Sequence, residues 1–145
     1  MSKTPENVFK KNLGHKQQLG IWSTLGAASV AELLLNCGFD WVLIDTEHSP
    51  NELPGVIEHL RVAQAAGVPA VVRPPWNDPV LVKRLMDQGA QSLLFPYVQN
   101  AWRRRPPSLR RAFLPTATVV FPATREVQAM ASGLTISSGM PTRCA

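Results

Sequence analysis

Three ionisable side chains follow directly after an apolar run in VLIDTEHSPNE, residues 42–52, and they are Asp45, Glu47 and His48. An imidazole takes or gives a proton near neutral pH with little tuning, and a carboxylate can orient it. Asp45 and Glu47 have the same parity, so an extended backbone would point them to one side and His48 to the other, unless a turn intervenes. The stretch indicates acid–base chemistry at His48. The plainer alternatives are a solvated loop histidine and a surface carboxylate at Glu47.

Arg73 stands in AVVRPPW, at the end of another apolar run. A guanidinium there is costly to bury unless it binds an anion or a paired carboxylate. Its fork of donors suits a carboxylate or an enolate oxygen, and the alternative is an internal salt bridge, because buried arginines are usually paired. Other ionisable residues lack such a setting, and we expect Lys83 and Arg84 on a solvated helix face and His15 and His59 at the surface.

No complete set of metal ligands is visible in the sequence. Asp45 and His48 alone would leave an ion underligated. Cys37 and Cys144 lie far apart, match no metal-ligand spacing and are interpreted as incidental thiols. The dinucleotide-binding motif G-x-G-x-x-G does not occur after the first predicted strand. The phosphate-binding motif G-x-x-x-x-G-K-[ST] does not occur anywhere in the sequence, so nothing favours a nucleotide-binding fold.

Short apolar runs alternate with amphipathic stretches, which is typical of βα units and a parallel sheet. The predicted strands are LGIWSTL, FDWVLID, VPAVVRPP and AQSLLFPY, and the predicted helices are SVAELLLNCGF, PNELPGVIEHLRVAQAAG and NDPVLVKRLMDQG. Cap residues delimit the helices: Ser29 and Asn77 or Asp78 begin two of them, Pro79 takes a first helical position, and Gly38, Gly67 and Gly89 end them.

The carboxyl ends of parallel strands meet at one edge of a sheet, where side chains converge on a crevice. We therefore expect one group of residues to lie together at that edge: Trp22, Ser23, Asp45, Glu47, His48, Arg73, Pro96 and Tyr97.

Composition is that of a soluble globular protein, with 45% hydrophobic and 17% charged residues in a chain of 145. Its net charge of +5 is uneven: residues 1–100 contain 8 Lys+Arg and 9 Asp+Glu, whereas the remainder contains 7 Arg and only Glu126 as an acid. The start has no apolar signal-peptide core, and no run approaches the ~18 apolar residues of a membrane span. We expect a cytoplasmic location and no membrane partner.

The runs QLGIWSTLG, AELLLNCGFDWVLIDTEHSPNE and VVRPPWNDPVLVKRLMDQGAQSLLFPYVQNA, within residues 8–101, resemble the HpcH/HpaI aldolase family. These are metal-dependent pyruvate aldolases, typified by 4-hydroxy-2-oxoheptane-dioate aldolase and associated with aromatic compound catabolism. The resemblance implies the N-terminal half of a (β/α)₈ barrel of the phosphoenolpyruvate/pyruvate type. It also implies a homo-oligomer, a trimer or hexamer, acting as a carbon–carbon lyase on a small 2-oxo acid.

The resemblance further implies roles for particular residues. His48 matches the catalytic base, Arg73 the arginine that stabilises the enolate-like transition state and binds substrate, and Asp87 an aspartate that raises the basicity of the histidine. Trp22 is predicted to contact substrate, and Asp45 matches an acidic position near a Mg²⁺, Mn²⁺ or Co²⁺ ion without binding it. The family's own metal ligands lie beyond the matched region, so none is predicted in this chain.

The last part of the sequence departs from the family pattern, which predicts an aldolase-type domain over 1–101 and a basic, irregular or disordered tail over 102–145. Arg without Lys, together with Pro, Ala, Thr and Ser, suggests a frameshifted reading frame. A truncated barrel with little or no aldolase activity by itself is then expected. The alternatives are a tail that binds nucleic acid or another anion, which we do not favour, and a structural module within an oligomer.

Overall fold

Strands and helices alternate along the computed structural model, which describes residues 6–97 and a separate strand at 118–120. The strands are β1 (Gly20–Ser23), β2 (Trp41–Asp45), β3 (Ala70–Arg73), β4 (Ser92–Leu94) and β5 (Thr118–Val120). The helices are α1 (Val8–Asn12), α2 (Ala28–Leu35), α3 (Leu53–Ala66) and α4 (Pro79–Asp87). The four predicted strands and three predicted helices are all present.

All strand pairs are parallel, and the sheet order β1-β2-β3-β4-β5 follows the order along the chain. A doubly wound sheet would reverse its order at a switch point, whereas a (β/α)₈ barrel adds strands in sequence. The topology is therefore of the barrel type. The strand β5 falls in the segment predicted to be a tail, and the domain boundary near residue 101 stays a prediction. The other features predicted for the tail lie outside the described residues.

The two faces of the sheet carry different sets of apolar side chains, because successive residues of a strand point to opposite sides. One face packs against α1 through Phe9, Trp41, Leu43, Val71 and Leu94. The other face packs against α3 and α4 through a second cluster, which includes Ile44, Val56, Val72, Val82, Leu85, Leu93 and Phe95. Burying each such side chain contributes roughly 1.5–3 kcal/mol, so these two layers hold the strand ends in place.

On the face that packs against α1, a close contact fixes the amino ends of β1 and β2. Phe9 and Trp41 have ring centroids 5.3 Å apart, and the Trp41 ring also lies over Gly20. A Cβ atom at Gly20 would stand 2.1 Å from Trp41 Cε2. Only glycine therefore lets the indole lie flat on β1 at this point.

Helix boundaries agree with several of the predicted caps and contradict that of Ser29. The Asp78 side chain accepts from the Val80 and Leu81 N–H groups at 2.9 Å, as expected of an N-cap before Pro79. The C-cap Gly67 has a φ of 69°, which favours glycine. The prediction for Ser29 is wrong, because α2 already begins at Ala28. Its N-cap is Ala27, whose side chain makes no capping hydrogen bond.

The prediction that His59 lies at the surface is wrong. Its side chain is 1% exposed, and its Nδ1 lies 2.7 Å from the Gly55 carbonyl oxygen. The reason is helical periodicity, since Val56, His59 and Ala63 share the buried face of α3. His15, Lys83 and Arg84 are exposed, as predicted.

No helix within the described ranges is long and apolar enough to cross a membrane.

Candidate active site

Arg73 and Asp45 form a two-bond ion pair at the carboxyl ends of β3 and β2, where they are register partners. Arg73 Nε donates to Asp45 Oδ1 at 2.8 Å, and Arg73 Nη2 donates to Asp45 Oδ2 at 2.7 Å. The Asp45 side chain is 1% exposed and that of Arg73 15%. The internal salt bridge left open by the sequence is therefore present, in the bidentate geometry that favours arginine over lysine.

Glu47 extends this pair into a cluster. Its Oε2 lies 3.0 Å from Arg73 Nη1, and its side chain is 9% exposed, so it is not a surface carboxylate. Its other oxygen, Oε1, lies 3.6 Å from His48 Nε2. His48 itself is 67% exposed, which leaves its ring accessible to a substrate. The carboxylate beside His48 within the described part of the chain is that of Glu47.

Trp22 contributes an aromatic surface to the cluster. It lies at the end of β1, and the Arg73 Cζ atom is 4.5 Å from its ring centroid. A guanidinium over an indole face gains roughly 0.5–2 kcal/mol from the cation–π interaction. Three neighbouring strands therefore converge on Arg73, as expected for the carboxyl edge of a parallel sheet.

Asp45 is the most connected acceptor of the site. Besides Arg73, the Glu47 and His48 backbone N–H groups donate to its Oδ1 at 2.9 and 3.4 Å. Burial by itself raises the pKa of Asp45, but the hydrogen bonds from Arg73 and the Glu47 N–H outweigh it, so the pKa lies below its usual value. The carboxylate is therefore ionised at neutral pH and holds its donors in place.

Sequence reasoning missed the residues that anchor the loop after β2. The Thr46 hydroxyl donates to the Arg73 carbonyl at 2.6 Å, and its N–H reaches the same oxygen at 3.0 Å. The Ser49 hydroxyl donates to the Asp45 carbonyl oxygen, and the Asn51 amide donates to the Asp45 and Ser23 carbonyls. A Ser and Asn pair after a strand signals a turn, but the contact with Ser23, 28 residues away, is not visible in the sequence.

Asp87 does not join this cluster within the described residues. It ends α4, the helix that leads back to the start of β4, and therefore lies towards the amino ends of the strands. Its carboxylate pairs with Lys83 Nζ at 2.6 Å and is 40% exposed. The predicted effect of Asp87 on His48 stays a prediction, without a contact between the two residues here.

An aromatic pair completes the carboxyl edge. Trp76, after β3, and Tyr97, after β4, have ring centroids 5.2 Å apart, and both rings are about half exposed. Tyr97 adopts a φ of 54°, a backbone conformation uncommon for a residue other than glycine.

The described residues do not by themselves fit a divalent metal ion. Within them, no group of three or more His, Cys, Asp or Glu side chains is placed to hold one. Both carboxylates of the site, Asp45 and Glu47, already bind Arg73. What the cluster offers is a fixed guanidinium, which can hold developing negative charge, beside an accessible imidazole, which can exchange a proton.

Comparison with known proteins places this chain in a family. The model of the family described as HpcH/HpaI aldolase/citrate lyase matches residues 18–104. The hydroxypyruvate/pyruvate aldolase of Sagittula stellata is 50% identical over 97 residues, which are 66% of this chain and 38% of that protein. The 4-hydroxy-2-oxo-heptane-1,7-dioate aldolase of Klebsiella pneumoniae is 49% identical over 100 residues, 68% of this chain and 38% of that protein. The chain thus spans 38% of the length of these curated relatives.

Solved structures agree on the architecture. An HpcH/HpaI aldolase/citrate lyase family protein from Burkholderia cenocepacia matches with a TM-score of 0.69 and 31% identity, over 79% of this chain and 58% of that one. An HpcH/HpaI aldolase from Desulfitobacterium hafniense matches with a TM-score of 0.64 and 30% identity, over 74% of this chain and 42% of that one. The predicted fold class, part of an α/β barrel of this family, is confirmed.

Proposed function

Because the chain belongs to the HpcH/HpaI aldolase/citrate lyase family, we propose that its site carries out the reversible cleavage of a 4-hydroxy-2-oxo acid into pyruvate and an aldehyde. Relatives of about half-identical sequence are named as aldolases of pyruvate or of 4-hydroxy-2-oxo-heptane-1,7-dioate. The reaction class is that of a carbon–carbon lyase, and the substrate partner is a small 2-oxo acid.

The observation that supports this proposal is the fixed guanidinium of Arg73 beside an accessible imidazole. Asp45 and Glu47 engage all three guanidinium nitrogens, and Trp22 covers one face. A guanidinium has five N–H groups, so donors remain for a substrate oxygen. His48 is the exposed member of the cluster, 3.6 Å from the carboxylate that can orient it.

The proposed chemistry moves one proton and one electron pair. His48 in its neutral form takes the proton of the 4-hydroxyl group, the C3–C4 bond breaks as the aldehyde carbonyl forms, and the bonding electrons become the enolate of pyruvate. The negative charge that develops on the C2 oxygen is stabilised by Arg73, whose position costs no reorganisation at that moment. His48 then returns this proton to C3 of the enolate, which gives pyruvate and restores the neutral imidazole.

The roles of the neighbouring side chains follow from their contacts. Glu47 holds the imidazole of His48 and one edge of Arg73 at the same time, since its two oxygens face different partners. Asp45 fixes the opposite edge of Arg73 and remains ionised. Trp22 supplies an apolar wall against which the planar oxo acid can stack.

The test is the release of pyruvate from a 4-hydroxy-2-oxo acid by the purified chain, with Mn²⁺ or Mg²⁺ added. We expect His48→Ala to lower the rate by roughly 10²–10⁴-fold, the usual contribution of a positioned base. The matched control is His15→Ala, which removes an exposed histidine from a distant turn and should leave the rate unchanged.

Absence of release above the His48→Ala background would reject the proposal for this chain and agree with the prediction that a truncated barrel has little or no aldolase activity by itself. An Asp87→Asn variant in the same assay tests the remaining role inferred from the family resemblance. A loss comparable with that of His48→Ala would uphold that role, whereas an unchanged rate would limit Asp87 to its ion pair with Lys83.

A further inference from the structure

We infer that Asn51 is a positioning residue of this site: its side-chain amide closes the loop of residues 46–50 onto the ends of β1 and β2 and thereby holds Glu47 and His48 beside Arg73. The inference rests on the proposed function. Nothing in the residue type marks Asn51 as functional, and its role comes from contacts made across the sheet edge.

Asn51 joins two strands through one buried amide. Its Nδ2 donates to the Asp45 carbonyl at 2.9 Å and to the Ser23 carbonyl at 3.2 Å, and the residue is 4% exposed. Both carbonyls stand at the carboxyl ends of their strands, where the parallel ladder stops. Because Ser23 and Ile44 already pair within the sheet, the amide is not needed to join β1 and β2. Its additional effect is on the loop.

The loop closes on itself through the Asp45 carbonyl oxygen. This oxygen accepts from the Ser49 hydroxyl as well as from Asn51, and the Asn51 backbone N–H donates to Ser49 Oγ at 3.1 Å. Asp45, which precedes the loop, is therefore bound by Ser49 and Asn51 at the far end of the loop. Such a closed turn restricts the backbone between them, where Glu47 and His48 stand.

The other side of the loop is fixed by the Asp45 carboxylate. The N–H groups of Glu47 and His48 point at its Oδ1, the same oxygen that binds Arg73 Nε. The closed loop thus sets the distance of 3.0 Å between Glu47 and Arg73 and that of 3.6 Å between Glu47 and His48. If the loop opens, both distances are released together, since they depend on one backbone segment.

The amide is kept at this position despite an energetic cost. Its Oδ1 is buried without a hydrogen-bond partner among the described residues. Turning the amide over would place this oxygen against the two carbonyl oxygens, so the observed orientation is the only one that makes the two bonds. An unpaired buried acceptor destabilises the fold, and local rules of this kind are broken mainly at functional sites.

Hydrogen exchange of the 145-residue chain tests the loop, and pyruvate release tests its link to the chemistry. The variants are Asn51→Ala and Asn51→Asp, the second of which keeps the volume but cannot donate to two carbonyls when ionised. The matched control is Asn36→Ala, which removes a similar amide–carbonyl bond of 2.8 Å at an exposed helix end.

In both Asn51 variants we expect the Glu47 and His48 amides to exchange at least about tenfold faster, because two hydrogen bonds are lost. The Val72 amide in the core should keep its rate. The value of kcat should fall by roughly ten- to a hundredfold with little change in KM, since misplacement of a catalytic group by about 1 Å has such an effect. If neither Asn51 variant folds, Ser49→Ala removes only the hydroxyl bridge and should accelerate the same two amides to a smaller extent.

Unchanged exchange at Glu47 and His48 would overturn the inference, whatever the activity. Faster exchange with an unchanged kcat would also overturn it, because the loop would then not position the chemistry. If the unmodified chain releases no pyruvate, the proposed function fails, and the exchange rates still decide whether Asn51 holds the loop.

Discussion

The sheet face that packs against α1 has an apolar end, at the amino ends of the strands, and an ionic end, at their carboxyl ends. At the amino end, Phe9, Trp41 and Gly20 meet in apolar contact, whereas at the carboxyl end Asp45 and Arg73 meet in a buried ion pair. Apolar contact depends on area and shape and has little directional preference. A buried ion pair depends on both partners, because each charge left alone remains buried without compensation. The same strands therefore combine a stable end with an end that is costly to maintain but can do chemistry.

The largest effect is expected from breaking the ionic end. Replacement Arg73→Ala leaves the buried carboxylates of Asp45 and Glu47 without the cation that both of them bind. Removing one partner of a buried pair typically costs about 3–5 kcal/mol, so we expect a loss of that order in the free energy of unfolding, measured by urea denaturation. The double variant Arg73→Met with Asp45→Leu should recover part of the loss. No recovery would mean that the ion pair is not the source of the cost.

A smaller effect is expected from overpacking the apolar end. Replacement Gly20→Ala would place a methyl group 2.1 Å from the Trp41 ring, which must shift. Overpacking usually costs about 1–3 kcal/mol. Thermal melting measures the loss, and fluorescence of Trp41 should change with it. Gly14→Ala is a useful control for the added methyl group, because a Cβ there meets nothing within 4 Å, although its φ of 77° adds strain of its own. Equal melting temperatures for Gly20→Ala and the unmodified chain would refute the packing argument.

The smallest effect is expected from acidification, which weakens the ionic end without removing a side chain. The folded-state pKa of Asp45 is lowered, so its ionised form contributes stability above the unfolded pKa of about 3.9. That contribution is lost as the pH falls through the folded-state pKa. Urea unfolding from about pH 6 to about pH 3 should show the decline.

Asp40 contributes in the same direction, because the Lys16 side chain and the Leu19 N–H lower its pKa as well. The Asp40→Asn variant separates the two carboxylates. Its remaining loss of stability below about pH 4 is expected to come in part from Asp45. A free energy of unfolding that stays constant over this range in Asp40→Asn would contradict the assignment to Asp45.

Much of the fold could be predicted because it depends on local patterns. The alternation of apolar runs and amphipathic stretches located four strands and three helices, and Asp78 and Gly67 marked helix ends through side-chain size and backbone preference alone. Ser29 misled because a residue that suits an N-cap can equally occupy the first turn. The prediction for His59 is wrong because it rests on the polarity of the side chain and ignores the helical spacing, which buries His59 beside Val56 and Ala63.

The sequence by itself determined which residue types stand at the carboxyl edge, since Asp45 and Arg73 each follow an apolar run directly and Glu47 and His48 come two and three residues after Asp45. The tertiary structure alone decided how they are paired. Asp45 and Arg73 are 28 residues apart, and so are Asn51 and Ser23, and only the register of parallel strands brings such residues into contact. Among the described residues, the tertiary structure also brings the Glu47 carboxylate beside His48, a contact that the sequence left open. A side chain's chemistry is local, but its partner is set by packing.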